Sequence, residues 1–122
     1  PAADDLRARL RTVGALQFFV DYGNAVGGFL GRGYDVSCTS PLAGSGSFAS
    51  FNDSDSLDRL DVAAISILGF TGPITVAECA FLTPVVPPQA TDFVITVVDA
   101  SAPDLSPISP FPTVSVSAIT AQ

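Results

Sequence analysis

The sequence predicts an all-β protein: a two-sheet antiparallel β-sandwich of about eight short strands, one domain spanning residues 1–122. Three observations lead there. Ten prolines and ten glycines are scattered between short apolar runs, the punctuation of a chain built from strands and turns rather than helices. Several of those runs alternate apolar and polar residues with a period of two. Hydrophobic residues make up 48% of the chain and charged residues only 14%, enough apolar surface to bury a core and too little charge for disorder.

Taken in order, the run 5–13, DLRARLRTV, alternates Leu6, Ala8 and Leu10 against Arg7, Arg9 and Arg11. A strand places all three arginines on one side, whereas a helix spreads them around the axis, so a strand is predicted. In the next run Leu16, Phe18, Val20 and Tyr22 alternate with Ala15, Gln17, Phe19 and Asp21, a strand with one mostly apolar face. Gly23-Asn24 and Gly27-Gly28 end it in turns. Phe29–Ser37 forms a shorter run leading to Cys38, and 41–47 reads as a Gly/Ser loop, with Phe48 and Phe51 expected to anchor it to the core.

The organising stretch runs from Asp61 to Phe81, with its leading Leu60. Two β-prone runs, Leu60–Leu68 and Pro73–Leu82, flank Gly69-Phe70-Thr71-Gly72-Pro73, and the short link predicts that they are neighbours in one sheet. Leu60, Val62, Ala64 and Leu68 are expected on one face of the first run. Thr75, Ala77, Cys79 and Phe81 are expected on one face of the second. Pro84, Pro87 and Pro88 make an extended link. Phe93–Ala100 is apolar on both faces and is predicted to be a central strand covered on both sides. Ser101–Pro112, with four prolines, reads as an extended crossover, and Thr113–Thr120 as the last strand.

Cys38 and Cys79 are the only cysteines. They permit one disulfide, closing a loop of roughly forty residues, which stabilises by about 4 kcal/mol on the chain-entropy model; the alternative is two buried thiols. The absence of Lys and the Ser/Thr/Pro-rich composition favour the disulfide and an extracellular or cell-surface, secreted protein. A start at Pro1 rather than Met suits a processed or trimmed chain. Two thiols without a His fall short of zinc's four ligands.

The acidic stretch 52–58 contains Asp53, Asp55 and Asp58, which are candidate calcium ligands because hard cations favour clustered carboxylates. The stretch lacks the Gly and terminal Glu of an EF-hand loop. The reading preferred here is a solvated turn before the Leu60 strand, with no cofactor.

At this point the chain resembles the cohesin-like and carbohydrate-binding-like extracellular β-sandwich family. The resemblance rests on VGALQFFVDY at Val13–Tyr22, the Gly-Phe-x-Gly-Pro-like turn within Ile65–Phe81, and the closing Val/Thr-rich runs Phe93–Ala100 and Thr113–Ile119. It implies an immunoglobulin-like jelly roll serving scaffolding or adhesion; the best-known members bind dockerin modules of cellulose-degrading complexes. Such domains carry a further strand before the segment corresponding to Leu6–Val13. That raises a second expectation, that segments 1–13 and 113–122 are exchanged between subunits to build a fibre. Leu6, Ala8, Leu10, Val114, Val116 and Ala118 are the candidate assembly-edge residues.

Composition removes several classes of function. Five arginines, no Lys and a formal net charge of −7 cannot make the basic footprint of a nucleic-acid binder or a contact to anionic lipid. No apolar run reaches the eighteen or so residues of a spanning helix. Without His or Lys, Ser-His-Asp, Cys-His and Ser-Lys catalysis are unavailable to the chain. Glu78 is the only Glu and is expected to face solvent, so paired-carboxylate chemistry has no evident acid. Carbohydrate binding is a further alternative, but there is no Trp and only Tyr22 and Tyr34, and the nine phenylalanines read as core. The expectation is a non-catalytic protein-interaction or structural module, with a protein partner or a second copy of itself.

Overall fold

The computed structural model describes residues 12–44, 46–84 and 86–119. The fold is all-β, with one three-residue 3-10 turn at Ala90–Asp92. Four strands build the main sheet: β1 (Val13–Asp21), β4 (Ser47–Ser54), β5 (Arg59–Phe70) and β8 (Val94–Ser101), in the order β4-β5-β1-β8 with antiparallel neighbours. Four short strands form two ladders of two residues each. β2 (Gly28–Phe29) pairs with β7 (Phe81–Leu82), and β3 (Cys38–Thr39) pairs with β6 (Glu78–Cys79).

The predicted alternation of β1 is the axis of the core. Leu16, Phe18, Val20 and Tyr22 are all buried, and the register sets Phe18 beside Val62 and Val20 beside Leu60. On the other flank of β5, Val62 faces Phe51 and Leu60 faces Asp53. Val36, Ala100 and Ile108 join this inner cluster, with Phe29, Cys38, Phe70, Val76, Cys79, Phe93 and Val114 packed against it. Tyr22, Phe29, Phe81 and Phe93 meet mostly edge to face, at centroid separations of 5.0 to 6.2 Å, an arrangement that aromatic quadrupoles favour. Most of the phenylalanines are therefore core, as expected.

Five expectations need correction. Leu60–Leu68 and Pro73–Leu82 are not sheet neighbours: β5 is flanked by β1 and β4, which pair along most of its length, and Pro73–Leu82 crosses away to supply β6 and β7. Leu68 also leaves the buried face and is exposed. Phe93–Ala100 is not central: β8 is an edge strand with Val94 and Val98 exposed, because a run apolar on both faces does not by itself say which face is covered. Ser101–Pro112 is not an extended crossover throughout. Ala102 N–H bonds the Ser106 carbonyl at 2.8 Å, and the chain doubles back so that Ile108 enters the core. Finally, 113–119 makes no ladder, although Val114 still packs on the core. The predicted strand 5–13 lies outside the described residues except for Thr12 and Val13.

The two margins of the main sheet differ. On β4, Gly33 exchanges two backbone hydrogen bonds with Asp53, at 2.9 and 3.0 Å, and Gly44 does the same with Ser47, at 2.9 and 2.8 Å. On β8 the Ala100 carbonyl accepts from Ile108 N–H. Among the described residues no further strand pairs along Val94–Asp99 on that side.

Candidate functional site

Strand alternation that buries one face of the main sheet turns the other outward. The register lays out that outer face in rows. Ala15, Ile65 and Phe48 form one, Gln17, Ala63 and Ser50 the next, then Phe19, Asp61 and Asn52, then Asp21, Arg59 and Ser54. Phe48 is 59% exposed and its neighbour Ile65 is 42% exposed; Ile67, two residues on and on the same face, is also exposed. This apolar end grades into a charged one. The Arg59 guanidinium stacks over the Phe19 ring at 4.6 Å, and its Nε lies 3.2 Å from Asp61 Oδ1. Asp21 and Asp99 add acidic groups at the same surface. Phe48 was expected to anchor a loop to the core. Phe51 does that, while Phe48, three residues before it and so on the opposite face, points out.

A second cluster sits at the inner end of β4. The Tyr22 hydroxyl donates a 2.7 Å hydrogen bond to Asp53 Oδ1, and both residues are buried, at 2% and 3% exposure. Among the described residues, Asp53 Oδ2 has no hydrogen-bond partner. Burial pushes the Asp53 carboxyl above the ordinary aspartate range, and the Asp55 and Asp58 carboxylates add to the rise, while the Tyr22 hydroxyl opposes it. Burial likewise raises the Tyr22 phenol, helped by its bond to Asp53 and by the nearby acids.

The predicted site residues fare unevenly. Cys38 and Cys79 are joined in a disulfide, directly opposite one another across the β3–β6 ladder with Cα atoms 4.1 Å apart. Of the calcium candidates, Asp55 and Asp58 lie on an exposed turn, as preferred, but Asp53 does not. It is the inward-facing residue after Phe51 on β4, and among the described residues no group of three acids, histidines or cysteines is placed to hold a metal. Leu6, Ala8 and Leu10 lie outside the described residues. Val114, Val116 and Ala118 are described but form no strand edge. Sequence reasoning missed the outer-face residues Phe48 and Ile65 and the Tyr22–Asp53 pair. The available signal was the parity of β4: Phe51 and Asp53 share a face, and Phe48 takes the other. No helix among the described residues is long and apolar enough to cross a membrane.

Comparison with protein-family models, with curated proteins and with solved structures finds no match to this chain.

Proposed function

We propose that this chain is a non-catalytic, extracellular protein–protein interaction module, a cohesin-like β-sandwich in which the two short ladders and the segment 113–119 serve as the second layer. The docking surface is the outer face of the four-stranded sheet. The observation that carries this reading is the pairing of Phe48 with Ile65 on adjacent strands, both exposed, with Ile67 beside them. Apolar side chains grouped on a flat sheet face, next to a polar rim, are the ordinary composition of a protein-binding patch. The neighbouring acids Asp21, Asp61 and Asp99, on a chain of net charge −7, match a partner surface with an apolar centre and a basic rim. The disulfide between Cys38 and Cys79 is compatible with secretion.

The test uses the full chain with a photo-crosslinking residue at Ser50, between the row of Phe48 and Ile65 and the row of Asp61, mixed with native extracellular extract. The expected result is a defined adduct from Ser50 that an Ile65→Arg substitution abolishes while the far-ultraviolet spectrum stays unchanged. Undiminished adduct formation by the variant would remove the face from consideration. A second reading, self-assembly by strand addition, is favoured by the flank of β8 over Val94–Asp99, which pairs with no further strand among the described residues, since open edges accept strands. Sedimentation separates the two: concentration-dependent polymers support strand addition, and a monomer at all concentrations argues against it.

A further inference from the structure

The Tyr22–Asp53 cluster plays no part in that docking surface, and its chemistry is independent of it. Asp53 sits at a junction. Its backbone exchanges two hydrogen bonds with Gly33, its side chain accepts from Tyr22, and Tyr22 in turn packs edge-on against Phe29 at 5.0 Å and Phe81 at 6.0 Å. Across β5 its ladder partner is the buried Leu60. The titratable groups facing it are Tyr22 from the end of β1, and Asp55 and Asp58 from the β4–β5 turn. None of these brings positive charge. The nearest cation along the chain after that turn, Arg59, is turned to the outer face against Phe19 and Asp61. Arg32 and Asp35, on the segment that presents Gly33, are exposed, and no ion pair links Arg32 to Asp53 among the described residues. Among the described residues the carboxyl therefore accepts from one neutral donor at Oδ1 and has no hydrogen-bond partner at Oδ2.

An ionised carboxylate in that position would be buried with no counter-ion among the described residues and with two like charges close by, a costly arrangement. A neutral acid lowers the cost, because a buried O–H is penalised far less than a buried charge. We infer that Asp53 is held as the protonated carboxylic acid in the folded chain, and that its ionisation is a pH-sensitive latch: the O–H bond breaks, the proton passes to solvent base, and the Gly33–Asp53–Tyr22 junction loosens. The upward shift of the carboxyl, caused first by burial, agrees with this geometry. The linkage has a definite sign. The folded chain keeps a proton that the unfolded chain has released, so stability is greatest at and below the ordinary aspartate range near 3.8. It falls as pH rises toward the raised value.

The experiment is urea unfolding of the full chain and of Asp53→Asn between about pH 4 and pH 8, with amide exchange read at Gly33. The expected result is a wild-type unfolding constant that gains up to about tenfold per pH unit relative to the variant over part of that range. Gly33 exchange in wild type should accelerate beyond that in the variant over the same range, and Asp53→Asn, which mimics the neutral acid, should be at least as stable as wild type at neutral pH. Equal pH slopes for the two proteins would overturn the inference. So would a wild-type midpoint raised by millimolar calcium, because a cation rather than a proton would then sit at Oδ2. Should Asp53→Asn fail to fold, carbon-13 titration of the wild-type Asp53 carboxyl decides the matter: a midpoint above 3.8 supports the latch, and one at or below it refutes it.

Discussion

Replacing Cys79 with serine removes the one covalent link between β3 and β6. The bridge closes a loop with a sequence separation of 41 residues, for which the chain-entropy relation gives about 4 kcal/mol of destabilisation on opening. That is a large share of the ~5–15 kcal/mol that holds a typical domain together. It is also concentrated, because the ladder the bridge spans contains only two residue pairs, Cys38 with Cys79 and Thr39 with Glu78. With a denaturant slope of about 1.5–2 kcal/mol/M for urea, the midpoint should move down by roughly 2–3 M, and the melting temperature by about 10–20 °C. The assay is urea unfolding of wild type and Cys79→Ser, each with and without reductant. Wild type should lose stability on reduction, whereas the variant should be indifferent to reductant and resemble reduced wild type. If oxidised and reduced wild type unfold at the same urea concentration, the loop-closure reasoning fails for this protein.

Val97 and Val98 form an internal control on β8. Val97 packs on the core and Val98 is exposed at a bulge, so Val97→Asp should cost about 2–4 kcal/mol in chemical denaturation and Val98→Asp less than about 0.5 kcal/mol; similar costs would mean that the facing of β8 is misassigned. Gly14→Ala would place a Cβ 2.5 Å from the Pro103 Cα, and the resulting overpacking should lower stability by about 1–3 kcal/mol in the same assay, with an unchanged midpoint refuting that close approach. Tyr22→Phe removes the only side-chain donor to Asp53 among the described residues and should cost about 1–3 kcal/mol. A neutral midpoint shift there would show that Asp53 takes its hydrogen bond elsewhere.

Parts of this architecture were legible in the residues because the two faces of a strand differed sharply. On β1, Leu16, Phe18 and Val20 alternate with Gln17 and Asp21, and the buried face follows directly. The disulfide was legible because two cysteines leave one intramolecular pairing. β8 was misleading for the opposite reason: Ile95 and Val97 face the core and Val94 and Val98 face out, yet all four are β-branched aliphatics. β4, reading SFASFNDS, has the composition of a loop, and its inward Asp53 looks like a solvated acid until Tyr22, 31 residues away, is brought to it. Which strands flank β5 was equally hidden. Short connections favour sequential pairing, but the long ladders that β1 and β4 make with β5 outweigh the proximity of Pro73–Leu82 along the chain, and that competition is decided only in three dimensions.

The contrast between the flanks of the main sheet has a consequence for any larger assembly. Gly33 and Gly44 stopper β4 near both of its ends, so a visiting strand would find only the short interval around Ala49 and Phe51 on that side, against the longer stretch offered by β8. Lateral growth would accordingly be lopsided: among the described residues each molecule has one long open border and no second one of similar length. A two-fold dimer sharing β8 with β8 would terminate there, and a continuing filament would need its donor segment from somewhere other than the sheet itself.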